Sequence, residues 1–265
     1  LRCIYHGWKF AVDGTVLDTP NVADPHFRTR LRGRVYPTRE AGGMVWVYLG
    51  SPEHVPDFPA WSWMSLPDSQ RIVVPHYADC NFVQVTEGLV DSSHLGILHS
   101  DGLQRSVGNN LGFAQKVESM QRNLAPRLEA EDTPFGFYYA ALRDVNGSLE
   151  ARVTAFIAPF TVLNPNGDIM SLLIPASDTR TVFYHVYWSS TDEINREPHR
   201  SKHLEFLGLT NQALANYGVT QDTSRTSARP TAANRFHQDR AAMREGRTFS
   251  GMPGLIEEDV AVCLS

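Results

Sequence analysis

The stretch NFVQVTEGLVDSSHLGILH, residues 81–99, narrows what this chain can be more than any other. It sets two imidazoles, His94 and His99, directly after a run carrying two carboxylates, Glu87 and Asp91, among apolar and small side chains. Neutral imidazole suits first-row transition ions. Two imidazoles joined by one distant carboxylate make the three-ligand face that leaves coordination positions open on non-haem ferrous iron. Five positions apart, the two histidines would point well away from each other on one regular helix of 3.6 residues per turn. The helix is therefore predicted to end between them. Gly96 is the expected place, because glycine weakens a helix interior and accepts the backbone angles of a helix end. Asp91, three residues before His94, shares its helical face.

The opening residues, LRCIYHGWKFAVDG, place Cys3 and His6 in C-x2-H spacing. One cysteine and one histidine fit half of a Rieske two-iron, two-sulfur (2Fe–2S) centre, in which two histidines replace two cysteines on one iron. A closed structural zinc site also needs four ligands, so the pair alone decides neither.

Charge and composition remove several classes. The 24 basic and 29 acidic residues give a net charge of −5, and the arginines are scattered, so nucleic acid is not an expected partner. No apolar run approaches the ~20 residues that a membrane helix requires, and nothing at the start resembles a signal peptide. The three cysteines, Cys3, Cys80 and Cys263, are far apart and odd in number. They argue against a disulfide framework and for a reducing cytoplasm, with Cys80 and Cys263 as buried thiols.

In chain order, residues 1–50 read as short strands with turns at Asp13-Gly14 and Ala41-Gly42-Gly43, the second leading into a strand over Met44 to Leu49. Residues 51–70, with Pro52, Pro56, Pro59 and Pro67 around Trp61 and Trp63, read as a linker. A longer domain follows over residues 71–265. Its first strand, RIVVPHYADC, leads into the motif helix, with Asn81 or Thr86 as cap. Asn146-Gly147 and Asn166-Gly167-Asp168 separate β-rich runs and predict an antiparallel sheet. Residues 192–217 carry apolar positions at helical spacing. The expected fold class is α+β: a small β domain, then an antiparallel sheet with one face covered by helices, a helix-grip domain. Such a fold encloses a pocket. Phe156, Ile157, Leu163 and Phe249 are candidates to line it and are equally placed to be ordinary core.

Taken together, CIYHGWKFAVDG and NFVQVTEGLVDSSHLGILH resemble the α (catalytic) subunit of the Rieske non-haem iron aromatic-ring-hydroxylating oxygenases, most nearly its phthalate- and phenoxybenzoate-dioxygenase branch. Residues 35–50, VYPTREAGGMVWVYLG, are similar to the strands that close the Rieske domain. Residues 238–259, QDRAAMREGRTFSGMPGLIEED, are similar to the segment that brings the third iron ligand.

The resemblance implies that residues 1–50 are the C-terminal half of a Rieske domain and residues 71–265 a catalytic domain of helix-grip (START/Bet v 1-like) fold. It implies that Cys3 and His6 hold half of the 2Fe–2S cluster, with a C-x-H pair upstream of Leu1 holding the rest. It implies that His94, His99 and Asp259 hold mononuclear Fe2+, with Glu258 and Glu257 as alternatives to Asp259. Asp91 resembles the aspartate that links an iron-site histidine of one subunit to a Rieske histidine of the next, as a carboxylate fixing an imidazole tautomer does. Gln84 and Glu87 are candidates for outer partners of the site, or for helix-surface and capping roles.

The activity implied is O2-dependent hydroxylation of a small aromatic substrate, an aromatic carboxylate or an aryl ether. Electrons would come from NAD(P)H through a flavin and iron–sulfur reductase, and the subunits would form a ring, usually a trimer. Relatives continue past the position of Ser265, so the chain reads as a fragment whose parent would be the enzyme. Arg152 or Arg180 could pair with a substrate carboxylate in bidentate fashion. The same iron site serves monooxygenation and O-demethylation. Outside this family, two histidines and an aspartate also suit a zinc hydrolase, against which the lack of an H-E-x-x-H arrangement counts. A helix-grip module that binds an apolar ligand without catalysis is the third class.

Overall fold

Hairpins with paired glycine or asparagine-glycine turns build both parts of the chain. In the computed structural model, which describes residues 1–102, 118–165, 168–219, 230–252 and 254–264, two compact units are seen, Leu1–Ser65 and Leu66–Ser265. In the first unit β1 (Lys9–Phe10) and β2 (Val16–Asp18) pair antiparallel across the Asp13-Gly14 turn. β3 (Thr38–Ala41) and β4 (Met44–Val47) pair with Ala41 opposite Met44. Gly42 and Gly43 both have positive φ, +64° and +78°, as a two-residue type I′ turn requires. The strand expected to run to Leu49 stops at Val47. In the proline-rich stretch Trp63 is 1% exposed, and a Cβ on Gly42 would lie 2.1 Å from its ring. That stretch packs instead of dangling.

The second unit is a seven-stranded antiparallel sheet in the order β5-β11-β10-β9-β8-β7-β6. Its strands are β5 (Arg71–Ala78), β6 (Arg127–Thr133), β7 (Gly136–Val145), β8 (Ser148–Ile157), β9 (Thr161–Leu163), β10 (Ile169–Ser177) and β11 (Arg180–Trp188). Asn146 and Gly147, both at positive φ, join β7 to β8 with Val145 opposite Ser148. The Asn166-Gly167 turn lies outside the described residues. The helices are α1 (Phe82–Val90), α2 (His94–Ile97), α3 (Glu118–Arg122), α4 (His199–Phe206), α5 (Asn211–Tyr217), α6 (Arg240–Arg244) and α7 (Leu255–Cys263). This is the α+β class expected. Among the described residues, no helix is long and apolar enough to cross a membrane.

Strand β5 alternates buried and half-buried residues along its whole length, so Ile72, Val74, His76 and Ala78 share one face. The register places Phe183 opposite His76, His185 opposite Val74 and Tyr187 opposite Ile72, extending that face onto β11. Val85 of α1, Leu209, Tyr217 of α5, and Ile256 and Val260 of α7 complete the core against it. Each such side chain, fully buried, contributes roughly 1.5–3 kcal/mol.

The helix between the two histidines does not end at Gly96. α2 runs through it to Ile97, the turn falls at Leu98 and His99, and helical conformation resumes at Ser100. Gly96 is there for space: a Cβ on it would lie 2.3 Å from the Met120 carbonyl oxygen of α3. Gly96→Ala is expected to cost about 1–3 kcal/mol through overpacking, measurable by urea unfolding. A loss below a few tenths of that range would show that α3 can yield.

Candidate metal centre

The site begins with a helix cap. Asn81 is extended, its side chain accepts from the Val83 amide at 3.0 Å, and Gln84 returns the favour by accepting from the Asn81 amide at 3.3 Å. Asn81 is thus the cap; the Thr86 hydroxyl donates to the Phe82 carbonyl one turn back. Gln84 therefore works in the capping box, while Glu87 is exposed on the helix and its carbonyl receives the Asp91 amide. α1 ends at Asp91, whose carboxylate accepts from the amides of Ser93 at 2.7 Å and His94 at 3.1 Å. That Asx-type turn aims His94 inward.

His94 and His99 then stand with ring centroids 5.2 Å apart and planes nearly perpendicular, at 78°. Nε2 of His99 is 2.9 Å from an Asp259 oxygen of α7. His94, His99 and Asp259 each present a ligand atom within 4.8 Å of the others. Glu258, the residue before Asp259, takes the opposite side of His99, its carboxylate 2.6 Å from Nδ1. His99 is 1% and Glu258 3% exposed, and the Ser250 hydroxyl donates to the other Glu258 oxygen at 2.5 Å. Ser250 is held in a loop tied down by Asp101, which accepts from the Thr248 hydroxyl at 2.7 Å and the Phe249 amide at 2.9 Å. Glu257 is buried, and among the described residues no hydrogen bond or ion pair joins it to either imidazole.

Burial alone would push the His99 pKa down, but Asp259 and Glu258 outweigh it and hold the imidazole up at about 10. Burial would raise the Asp259 carboxyl, yet His99 and then His94 bring it below its ordinary value. The His94 imidazole, with Nδ1 3.5 Å away, together with the two amides, keeps the Asp91 carboxyl at about 2. The arrangement thus has a histidine whose orientation is fixed on the Nδ1 side, leaving Nε2 toward a carboxylate, which is how metal-ligating histidines are held.

Two hollows flank these residues. One, of about 360 Å³, reaches from His76 and Phe183 of the sheet to Asp91, His94 and Asp259. The other, of about 110 Å³, has Tyr139, Thr154, Asn164, Ser171 and His185 on its walls and touches His94, His99 and Asp259. Phe156, Ile157, Leu163 and Phe249 line neither. Phe156 lies in the lateral row of Val162, Ser171 and His185 but packs against Phe137 with the rings tilted at 41°, while Ile157 and Leu163 fall on the opposite parity of the register. Phe249 is 53% exposed.

The pocket histidines His76 and His185 escaped the reading of the sequence. Both are buried, their Nε2 atoms have no partner among the described residues, and His185 stacks with Phe183 and with His76, whose own ring is tilted to Phe183. Burial pushes His76 down to about 4, and burial with His76 nearby lowers His185 well below its ordinary value, so both are neutral. The signal was the period-two placement of histidine inside strongly apolar strands. Arg152 is buried on β8, and Arg180 pairs with Asp79 at 3.5 Å and lies over the Tyr77 ring, so neither is a plain surface arginine. In the first unit Cys3 and His6 are both exposed on one tight turn, where the Gly7 amide donates to the Cys3 carbonyl at 3.0 Å.

Fold and site together define a helix-covered antiparallel sheet bearing a face of two imidazoles and one carboxylate. A family model described as LigXa C-terminal domain like matches residues 47–265. The phthalate 4,5-dioxygenase oxygenase subunit of Pseudomonas putida is 34% identical over 99% of this chain and 59% of its own length. The 3-chlorobenzoate-3,4-dioxygenase oxygenase subunit of Comamonas testosteroni is 28% identical over 99% of this chain and 62% of its own length. The solved structure of Pseudomonas putida CBB5 NdmB shares the fold, with a TM-score of 0.53 at 15% identity, over 79% of this chain and 58% of that one. The chain belongs to the LigXa C-terminal domain-like family. It spans about three fifths of the curated relatives it matches.

Proposed function

We propose that this chain is the mononuclear-iron part, with a portion of the cluster domain, of a Rieske-type oxygenase component that hydroxylates a small aromatic substrate with dioxygen. The observation that carries this reading is the meeting of His94, His99 and Asp259 within 4.8 Å, with Glu258 buttressing His99 from behind. The donor set fits the metal: imidazole and carboxylate suit ferrous iron, and three protein ligands leave positions open. Ferrous iron held by these three side chains would supply the centre at which dioxygen is activated.

The chain's own residues have separable tasks in this reading. Glu258 fixes the His99 ring so that Nε2 faces the ion, and Ser250 fixes Glu258. His185, Asn164 and Ser171, whose hydroxyl donates to the Asn164 side chain at 3.1 Å, lie on the wall of the smaller hollow in an otherwise largely apolar lining. Cys3 and His6 would hold half of a 2Fe–2S cluster, completed by residues outside this sequence. Electrons would enter from NAD(P)H through a flavin and iron–sulfur reductase. Asp91, ionised and 47% exposed at its side chain, would reach across a subunit boundary in a trimer to a cluster histidine while steadying His94.

The test is Asp91→Asn in the full-length protein. Iron content is expected to stay at the wild-type level while turnover falls about 100-fold, the scale of losing an outer partner of a metal site. Normal single-turnover product formation in the variant would remove Asp91 from the electron path. Iron analysis of the same preparations separates this from a failure of the metal site itself.

A further inference from the structure

We propose that Tyr139 and Arg143 of β7 are positioning residues: they hold the turn between α1 and α2 by its backbone and so set where the Asp91 carboxylate and the His94 imidazole stand. The consequence for metal binding rests on the function proposed above. The hold on the turn does not.

The first argument is where the two side chains grip. Val90 ends α1, and the carbonyls of a helix's last turn have no partner inside the helix. The Tyr139 hydroxyl donates to the Val90 carbonyl. Two residues further on, Nη2 of Arg143 donates to the Ser92 carbonyl at 2.9 Å and to the Ser92 hydroxyl at 3.1 Å. The grips fall on either side of Asp91, whose carboxylate takes the Ser93 and His94 amides. Tyr139 and Arg143 stand four apart on β7 and therefore share one face of the sheet. Tyr139 is 6%, Ser92 6% and Arg143 1% exposed, so water competes little for these bonds.

The second argument is the choice of arginine. Burying a guanidinium is expensive, and an apolar side chain of similar volume is often at least as stable. Its planar fork, however, reaches two segments at once. While Nη2 holds Ser92, Nε donates at 2.9 Å to the carbonyl of Asn123, the residue after α3. α3 is also the helix whose Met120 carbonyl faces Gly96 of α2. One side chain thus ties the residue between Asp91 and His94's helix to the helix that packs on α2. Its main acceptors are backbone carbonyls, so what it fixes is the path of the chain, which a merely space-filling residue would leave free.

The experiment compares two substitutions that each delete one buried hydroxyl. Tyr139→Phe frees the Val90 carbonyl at the C-terminal end of α1. Thr181→Val is the matched control: Thr181 is fully buried, and its hydroxyl donates at 2.9 Å to the carbonyl of Cys80, just before the N-terminal end of the same helix. Hydrogen exchange of the Ser93 and His94 amides is followed by NMR on the metal-free chain. It is expected to quicken about tenfold in Tyr139→Phe and to stay within about twofold of wild type in Thr181→Val. The Co2+ dissociation constant, read by visible absorption, is expected to rise about tenfold in Tyr139→Phe and to stay at the wild-type value in Thr181→Val. Arg143→Lys keeps the charge and loses the fork, so it should match or exceed Tyr139→Phe in both measurements. Unchanged exchange in Tyr139→Phe, equal changes in Tyr139→Phe and Thr181→Val, or faster exchange with Co2+ affinity untouched each overturns the proposal. A wild-type chain that binds no Co2+ defeats the metal reading instead, and the exchange comparison then decides the hold on the turn by itself.

Discussion

Glu258→Ala is expected to destabilise the chelator-treated chain by about 3–5 kcal/mol, because it removes one partner of a buried charged pair and leaves the other behind. The carboxylate is 2.6 Å from Nδ1 of His99 and receives the Ser250 hydroxyl at 2.5 Å, with all three side chains buried. Alanine strands both the imidazole and the hydroxyl. Glu258→Gln keeps the shape and one acceptor, so its loss should be smaller. The pH dependence follows from the direction of the shift. His99 in the folded chain is raised from 6.5 to about 10, so the stability it contributes is complete below pH 6.5 and is lost as pH rises toward about 10. Asp259 still meets Nε2 in the variant and keeps its imidazole raised, so the gap between wild type and Glu258→Ala in urea unfolding should hold its full size near pH 6 and narrow only as pH approaches about 10. A gap under 1 kcal/mol, or one that does not change with pH, would show that the pair is not formed as described.

Asp259→Ala should act on the metal and far less on the fold. Its side chain is 43% exposed, so truncation leaves no deep cavity. It does remove the carboxylate of the three-ligand set. Ferrous iron affinity, measured anaerobically by equilibrium dialysis, is expected to fall by more than the roughly 10–100-fold that losing an outer partner costs. Glu257→Ala should leave affinity within about threefold of wild type, since Glu257 is buried away from both imidazoles. Equal losses from the two substitutions would mean that the acidic run acts only through its charge.

The hairpins and the helix start were legible in the sequence because local chemistry dictates them. Asn146-Gly147 needs positive φ at both positions and has it, and Asn81 caps α1 with a side chain of the right length. His94, His99 and the acidic run were legible as ligand types at plausible spacing. Which acid faces which nitrogen was not, because Glu258 and Asp259 are neighbours and only the direction of α7 sends one behind His99 and the other before it. Gly96 was misread for a comparable reason. A glycine that ends a helix and one that admits a neighbouring carbonyl look alike until α3 is in place. His76 and His185 were hidden because each sits on a different strand, and only the register of β5 with β11 stacks them. The residues first considered for the pocket, Phe156, Ile157, Leu163 and Phe249, were chosen for apolar character. Sheet parity turns Ile157 and Leu163 away from it, Phe156 has the right parity but lies against Phe137, and Phe249 is outside the sheet and exposed.

The central claim is that His94, His99 and Asp259 hold one ion among nitrogen and oxygen donors. X-ray absorption spectroscopy on the chain loaded anaerobically with one equivalent of Fe2+ addresses it directly. One bound iron with a nitrogen and oxygen shell, the outer-shell scattering of two imidazoles, and no sulfur neighbour is expected. Iron that fails to bind, or that binds with sulfur from Cys3, Cys80 or Cys263 in its shell, would contradict it.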